Sequence, residues 1–209
     1  MAAIISADDS SVVDEAVYVL REGKIVCYPT DTVYGMGVRA GDDDAVRHLY
    51  AVKGRAKDKP MPLLIAEAGV ATWYADVSPV ARTLMGRFWP GGLTIVMRKN
   101  PDFRSLALAG QDKIALRVPD QRVVCEIIHA LGEPITGTSA NRAGGRAPTT
   151  AAEVAFSMGE LVALVIDGGR TKGGQESTMI DITITPHSVL REGAVSREEL
   201  REVLGKEVG

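Results

Sequence analysis

Four stretches of this 209-residue chain concentrate hydroxyls, cations and glycines. The first reads Pro29-Thr30-Asp31-Thr32-Val33-Tyr34-Gly35-Met36-Gly37. The second, residues 53–60, sets Lys53, Arg55, Lys57 and Lys59 around one acid, Asp58, a local charge of +3. The third, residues 137–146, carries Thr138, Ser139, Asn141, Arg142 and Arg146 with Gly137, Gly144 and Gly145. The fourth, residues 167–178, holds Arg170, Lys172, Ser177 and Thr178 among Gly168, Gly169, Gly173 and Gly174. Glycine lets backbone N–H groups approach an oxyanion, and Lys and Arg neutralise its charge. One such loop is ordinary turn chemistry. Four, each beside an expected strand end, predict an anionic ligand.

Two known patterns lie nearby and fail on chemistry. Gly35-x-Gly37-x-x-Ala40 fits a relaxed dinucleotide fingerprint, but the helix after it opens on Asp42, Asp43 and Asp44, which would repel a pyrophosphate. Gly137-x-Ser139-x-Asn141 approaches a hydrolase elbow, and Ser139, Asp167 and His187 run in hydrolase order. The closing glycine is missing, and residues 142–148 cannot supply the helix that an elbow needs. There is no GxxxxGK[ST] phosphate loop.

The elements that must hold these stretches follow from apolar periodicity. Helices are expected over 9–22, 43–52, from Pro79 to Phe88, 121–131 and 196–204. Strands are expected over 25–28, 62–66, 93–98, 113–118, 134–138, 161–166, 178–184 and 188–191. Along 113–118, Ile114, Leu116 and Val118 share one face, with Lys113, Ala115 and Arg117 on the other. Helices and strands interleave throughout, so the class is α/β: a single domain over 1–209 with one twisted, mixed sheet and flanking helices. Residues 205–209 are expected to fray, and residues 167–176 to form a mobile lid.

Composition bounds the function. The chain has 24 Lys and Arg against 27 Asp and Glu, a net charge of −3, with 5% aromatic residues. A single-strand RNA binder needs a basic track and stacking platforms, which argues against a non-enzymatic RNA module. The longest apolar run is Leu161–Ile166, far short of the roughly 20 residues that span a membrane. The first ten residues carry Asp8 and Asp9 and no basic segment, so no signal peptide is expected. Cys27 and Cys125 sit in apolar surroundings and are expected as buried, reduced thiols of a cytoplasmic protein. His48, His129 and His187 lack metal-ligand spacing, so no protein-built metal site is expected.

Taken in order, the motifs resemble the YrdC/Sua5 family. They are Pro29-Thr30-Asp31-Thr32-Val33-Tyr34-Gly35, Lys53-Gly54-Arg55, Phe88-Trp89-Pro90-Gly91-Gly92-Leu93-Thr94 and Leu116-Arg117-Val118-Pro119, followed by Ser139-Ala140-Asn141, Ser177-Thr178 and Leu190-Arg191-Glu192-Gly193. They run from residue 29 to 193. The resemblance implies an L-threonylcarbamoyladenylate synthase of the stand-alone form, with a YrdC-like sheet around a positively lined cavity. Such an enzyme condenses L-threonine, bicarbonate and ATP to threonylcarbamoyl-AMP and pyrophosphate. That is the first step toward N6-threonylcarbamoyladenosine in tRNA.

By the same resemblance, Lys53 and Arg55 are catalytic. Arg55, Ser139, Asn141 and Arg191 bind the nucleotide, and Thr32, Arg117 and Ser177 bind threonine; Lys113, on the strand face of Arg117, is expected to reach the same cavity and bind the nucleotide too. Magnesium would arrive with ATP. The product would pass to a downstream tRNA threonylcarbamoyl-transfer machinery, with direct tRNA binding weak or absent and no membrane association. The chain departs from the family pattern at Lys59 and Met61, at Ala66-Glu67 where many members have histidine, at Thr138 in place of proline, and at Ala147 in place of serine. A carbamoyl-adenylate enzyme with a different acceptor is the neighbouring alternative.

Overall fold

The computed structural model describes residues 2–172, 174–205 and 208. In chain order the elements are β1 (Ala3–Ser6), α1 (Val12–Arg21), β2 (Val26–Tyr28), β3 (Gly35–Gly37), α2 (Asp43–Lys53), β4 (Leu63–Leu64), α3 (Pro79–Phe88), β5 (Leu93–Arg98) and β6 (Lys113–Arg117). Then come α4 (Arg122–Leu131), β7 (Ile135–Thr136), β8 (Thr138–Ser139), α5 (Ala151–Met158), β9 (Leu164–Asp167), β10 (Thr178–Asp181), β11 (Ser188–Arg191) and α6 (Arg197–Leu204). The class is α/β, as expected.

The strands form two mixed sheets, not one. Their orders are β1-β9-β2-β3-β8 and β11-β10-β5-β6-β4-β7. The expected strand over 134–138 shows why. It is cut at Gly137: β7 pairs antiparallel with β4 in one sheet, and β8 with β3 in the other. The chain passes between sheets at the one residue of that run without a side chain. A Cβ there would stand 2.9 Å from the Leu64 side chain. Tyr28 stitches the sheets at the same place, its hydroxyl donating to the Thr136 carbonyl at 2.8 Å.

Capping chemistry sets the helix ends. Asp42 accepts from the N–H groups of Asp44 and Ala45, and Ser78 and Thr150 do the same for α3 and α5. Before α1, Asp9 accepts from the Ser11 N–H and hydroxyl, so a turn fills residues 9–11 and the helix starts at Val12. The buried faces make two cores. Val17 and Leu20 of α1 and Val124 and Ile127 of α4 pack on Val26, Leu64 and Ile166. Leu49 of α2, Leu84 of α3 and Val154 of α5 belong to the core that holds Met36, Ile95 and Leu116. Each fully buried side chain of this kind contributes about 1.5–3 kcal/mol.

Two expectations about the ends and thiols change. Val208 is buried and bridges to His187, so the tail is anchored there; residues 206, 207 and 209 lie outside the described residues. Cys27 is buried, whereas Cys125 is only partly so, its thiol donating to the Pro119 carbonyl at 3.3 Å; both are free. No helix among the described residues is long and apolar enough to cross a membrane.

Candidate active site

The four polar stretches meet in an open cleft of about 490 Å3. Thr30, Thr32 and Val33 come from the first, Lys53 and Arg55 from the second, Ser139, Asn141 and Gly145 from the third, and Glu176 and Ser177 from the fourth. Leu64, Thr94, Arg117 and Arg191 enter from the second sheet. The charged lining is therefore Lys53, Arg55, Arg117 and Arg191 against Glu176. Exposed Lys57, Lys59, Arg142 and Arg146 belong to the same loops, which are joined where the Ala143 N–H donates to the Lys53 carbonyl at 2.8 Å.

Lys53 is the last residue of α2, not a loop residue. The helix ends because Gly54 adopts a left-handed conformation, with φ 65°. The Lys53 side chain is buried, and its ammonium donates to the Ser139 carbonyl at 2.5 Å, the Ser139 Oγ at 3.1 Å and the Asn141 Oδ1 at 2.9 Å. Those bonds use all three of its protons. Burial pushes the ammonium down to about 8, with Glu176 opposing. Asn141 donates in turn to the carbonyls of Arg142 and Gly145, which shapes the third stretch. Arg55 folds back on its own loop, donating to the carbonyls of Lys59 at 3.2 Å and Pro60 at 2.8 Å.

Arg117 closes β6 and is 6% exposed. Its Nε donates to the Gly91 carbonyl at 2.9 Å, Nη1 to Thr32 Oγ1 at 3.2 Å, and Nη2 to Asp31 Oδ1 at 2.6 Å. Burial lowers its pKa, and Asp31 opposes that shift. A guanidinium has five N–H groups, so one on each terminal nitrogen is left. The Thr32 hydroxyl lies 2.9 Å from the Thr30 hydroxyl, accepts from Arg117 Nη1 and lines the cleft.

Ser177 lies 2.8 Å from the Thr94 hydroxyl and accepts from Arg191 Nη2 at 3.1 Å. Arg191 also donates from Nε to the Ser177 carbonyl at 3.0 Å, and its Nη1 pairs with Glu176. The fourth stretch thereby aims Arg191 into the cleft.

Of the residues named from sequence, Thr32, Lys53, Arg55, Arg117, Ser139, Asn141, Ser177 and Arg191 come together. Lys113 does not. It shares the strand face of Arg117, but four residues of strand separate them by about 13 Å. Its ammonium pairs with Asp181 at 2.8 Å, and it is not part of the cleft wall. Gly35 and Gly37 form a strand instead of a phosphate loop. A Cβ on Gly37 would stand 2.2 Å from the Thr136 carbonyl oxygen. Ser139, Asp167 and His187 make no triad: Asp167 accepts from Gly169 N–H, and His187 Nδ1 faces the Ile184 carbonyl at 2.8 Å.

Part of the expected lid is tied down. The Tyr34 hydroxyl donates to the Gly169 carbonyl and accepts from Gly168 N–H, and Arg170 donates to Thr149; Gly173 lies outside the described residues. Among the departures from the family pattern, Ala147 lines the cleft, Met61 is core, and Ala66 and Glu67 border a separate groove with α4.

Sequence reasoning missed Asp31, Tyr28, Thr94 and Glu176. Thr94 had a signal, a lone hydroxyl within the apolar run Leu93–Met97. Asp31 and Glu176 sit inside two of the polar stretches, whose reading rests on hydroxyls, cations and glycines. Among the described residues no cluster of three or more His, Cys, Asp or Glu could hold a metal ion.

A family model described as Sua5, YciO and YrdC, telomere recombination, matches residues 18–193. The chain belongs to the Sua5/YciO/YrdC family. Within it, the threonylcarbamoyl-AMP synthase of Bacillus subtilis is 37% identical over 203 residues, covering 96% of this chain and 58% of that protein. Pyrococcus abyssi Sua5 complexed with L-threonine superposes with a TM-score of 0.93 at 35% identity, over 100% of this chain and 62% of that one. Escherichia coli YciO gives 0.85 at 26% identity, over 95% and 99%. The chain thus spans less than two thirds of the Bacillus and Pyrococcus relatives.

Proposed function

We propose that this chain is an L-threonylcarbamoyladenylate synthase acting as one catalytic domain. It joins L-threonine, bicarbonate and ATP, and releases threonylcarbamoyl-AMP and pyrophosphate. The observation that carries this reading is the Arg117–Thr32 pair on the wall of a cationic cleft. Arg117 keeps one N–H on each terminal nitrogen, the donor geometry that a carboxylate takes up. Thr32 places a hydroxyl beside it for a polar group on the same amino acid. Relatives named threonylcarbamoyl-AMP synthase, and a Sua5 complexed with L-threonine, support the same substrate.

In this reading the neutral amine of threonine adds to the carbon of bicarbonate, and water leaves. An oxygen of the resulting carbamate attacks the α-phosphorus of ATP, and pyrophosphate departs with its electron pair. No covalent bond to the protein forms. The chain contributes position and charge: Arg117, Thr32 and Ser177 hold threonine, while Lys53, Arg55, Ser139, Asn141 and Arg191 face the nucleotide and carbamate. Lys113 is left out, because Asp181 holds its ammonium away from the cleft. Magnesium arrives with ATP, bound mainly by the phosphates. The product passes in the cytoplasm to a tRNA threonylcarbamoyl-transfer machinery, and direct tRNA binding is weak or absent.

Mass spectrometry of protein with ATP, L-threonine and isotope-labelled bicarbonate tests the reading. Threonylcarbamoyl-AMP carrying the label is expected, and none when any substrate is omitted. Pyrophosphate release without that product would overturn the assignment. Labelled carbamoyl-adenylate formed equally well on other amines would point to another acceptor.

A further inference from the structure

We propose that Asp31 is a positioning residue for the amino-acid substrate: it fixes the guanidinium of Arg117 in the plane that meets the substrate carboxylate. The proposal deepens the reading above and rests on it.

Asp31 is flanked by cleft-lining Thr30 and Thr32, but is not itself part of the wall. Its Oδ1 instead lies behind Arg117, accepting from Nη2 at 2.6 Å and from the backbone N–H of Asp120 at 3.0 Å. One oxygen therefore ties the guanidinium to the chain just beyond its own strand. The three acceptors on Arg117 are the Gly91 carbonyl, the Thr32 hydroxyl and Asp31, and only Asp31 is charged. The charge of the guanidinium assists all three bonds alike, but the Asp31 contact is the shortest and its oxygen is also held by the Asp120 N–H, so Asp31 dominates the orientation.

The loop that carries Asp31 is itself fixed. Thr30 Oγ1 accepts from the N–H groups of Thr32 and Val33 while donating to the Val33 carbonyl. Gly92 completes the arrangement: a Cβ there would stand 2.6 Å from the Ala194 Cβ, and close to Thr32 and Asp31 as well. Without Asp31, rotation of the Arg117 fork about its long side chain is opposed only by two neutral acceptors. Since a bidentate contact needs the planar guanidinium aligned with the carboxylate, lost orientation is lost affinity for the amino acid. ATP, held by other residues, is unaffected.

The test separates geometry from charge and threonine from ATP. Steady-state KM values for both substrates, and calorimetric threonine binding, are measured for three variants. Asp31→Ala is expected to raise the threonine KM at least tenfold, with the ATP KM within threefold of wild type. Asp31→Asn keeps an acceptor at the same position and is expected to stay within threefold for both. Asp31→Glu keeps the charge but moves the oxygens by one methylene, and is expected to raise the threonine KM. An Asn variant as poor as Ala, a Glu variant as good as wild type, or equal changes in both KM values would overturn the proposal. If Asp31→Ala does not fold, the Asn and Glu pair still decides it. A wild type that binds threonine but forms no adenylate overturns the reaction assigned above, and calorimetry on the variants then decides Asp31 alone. A wild type that binds no threonine overturns both.

Discussion

The Lys53 ammonium lies 2.9 Å from Asn141 Oδ1, and the same nitrogen reaches both the carbonyl and the hydroxyl of Ser139. The end of α2 is thereby bonded to the stretch after β8, across the cleft wall. Lys53→Met removes all three bonds and leaves the buried Asn141 Oδ1 without its donor. An unsatisfied buried group costs about 1–3 kcal/mol, so urea unfolding should show a loss of about that size. Turnover should drop by about 10²–10³-fold, the size of a lost preorganised electrostatic contribution. A variant as stable as wild type would show that Lys53 does not brace this wall.

The same lysine predicts a pH response. Its ammonium is pushed down to about 8 by burial. Activity that needs the cation is then full below that pH and falls as pH rises through it. Lys53→Arg stays charged, so whatever activity it retains should lack that alkaline limb. The stability effect has the opposite sign. Between about 8 and the ordinary 10.5, the unfolded chain holds the proton and the folded chain does not, so this group's contribution to stability rises with pH. Chemical denaturation of wild type minus Lys53→Met across pH 7–11 isolates it.

Arg117→Lys exchanges a fork for a point charge. The lysine cannot engage Gly91, Thr32, Asp31 and a substrate carboxylate together. Threonine binding should weaken by about 2–5 kcal/mol while ATP binding changes little. Separate calorimetric titrations read this directly. Loss of ATP affinity with threonine affinity kept would assign Arg117 to the phosphates.

Gly193 is irreplaceable for a steric reason. A Cβ there would stand 2.1 Å from the Glu176 carbonyl oxygen and 2.9 Å from the Ser177 carbonyl carbon, and backbone atoms cannot yield as a side chain can. Gly193→Ala should cost about 1–3 kcal/mol in urea unfolding and displace Ser177, reducing threonine affinity. Gly69→Ala, whose nearest contact is 4.0 Å away at Glu67, serves as the control and should change neither.

Much of the fold is legible in local pattern. Residues 93–98 and 188–191 alternate or run apolar between clear stops, and they form β5 and β11 with those bounds. Pro79 and the spacing of Leu84 and Phe88 place α3. The α5 helix escapes because Phe156, 93% exposed, sits on the wrong face of an Ala-rich segment. The pair Thr150 and Glu153 is a cap signal that would have found it. β3 escapes because its glycines look like a loop, whereas they are demanded by the Tyr28 ring and the Thr136 carbonyl. The division into two sheets depends on which strands meet in space, and no local periodicity carries that. In the site, motif residues identify the wall, but Asp31 shows its partner only once β6 and the first stretch are folded together.

The basic loops give an acidic molecule a cationic mouth. Its net charge is −3, yet the loop of residues 53–60 alone carries +3, and Arg142 and Arg146 extend the same side. A one-sided basic patch on an acidic protein sets up a surface field that acts before contact. A protein of pI near 5.7 would ordinarily wash straight through a phosphate-bearing resin at neutral pH. This one should be retarded, mouth first, and ATP in the running buffer should release it by covering the same cations.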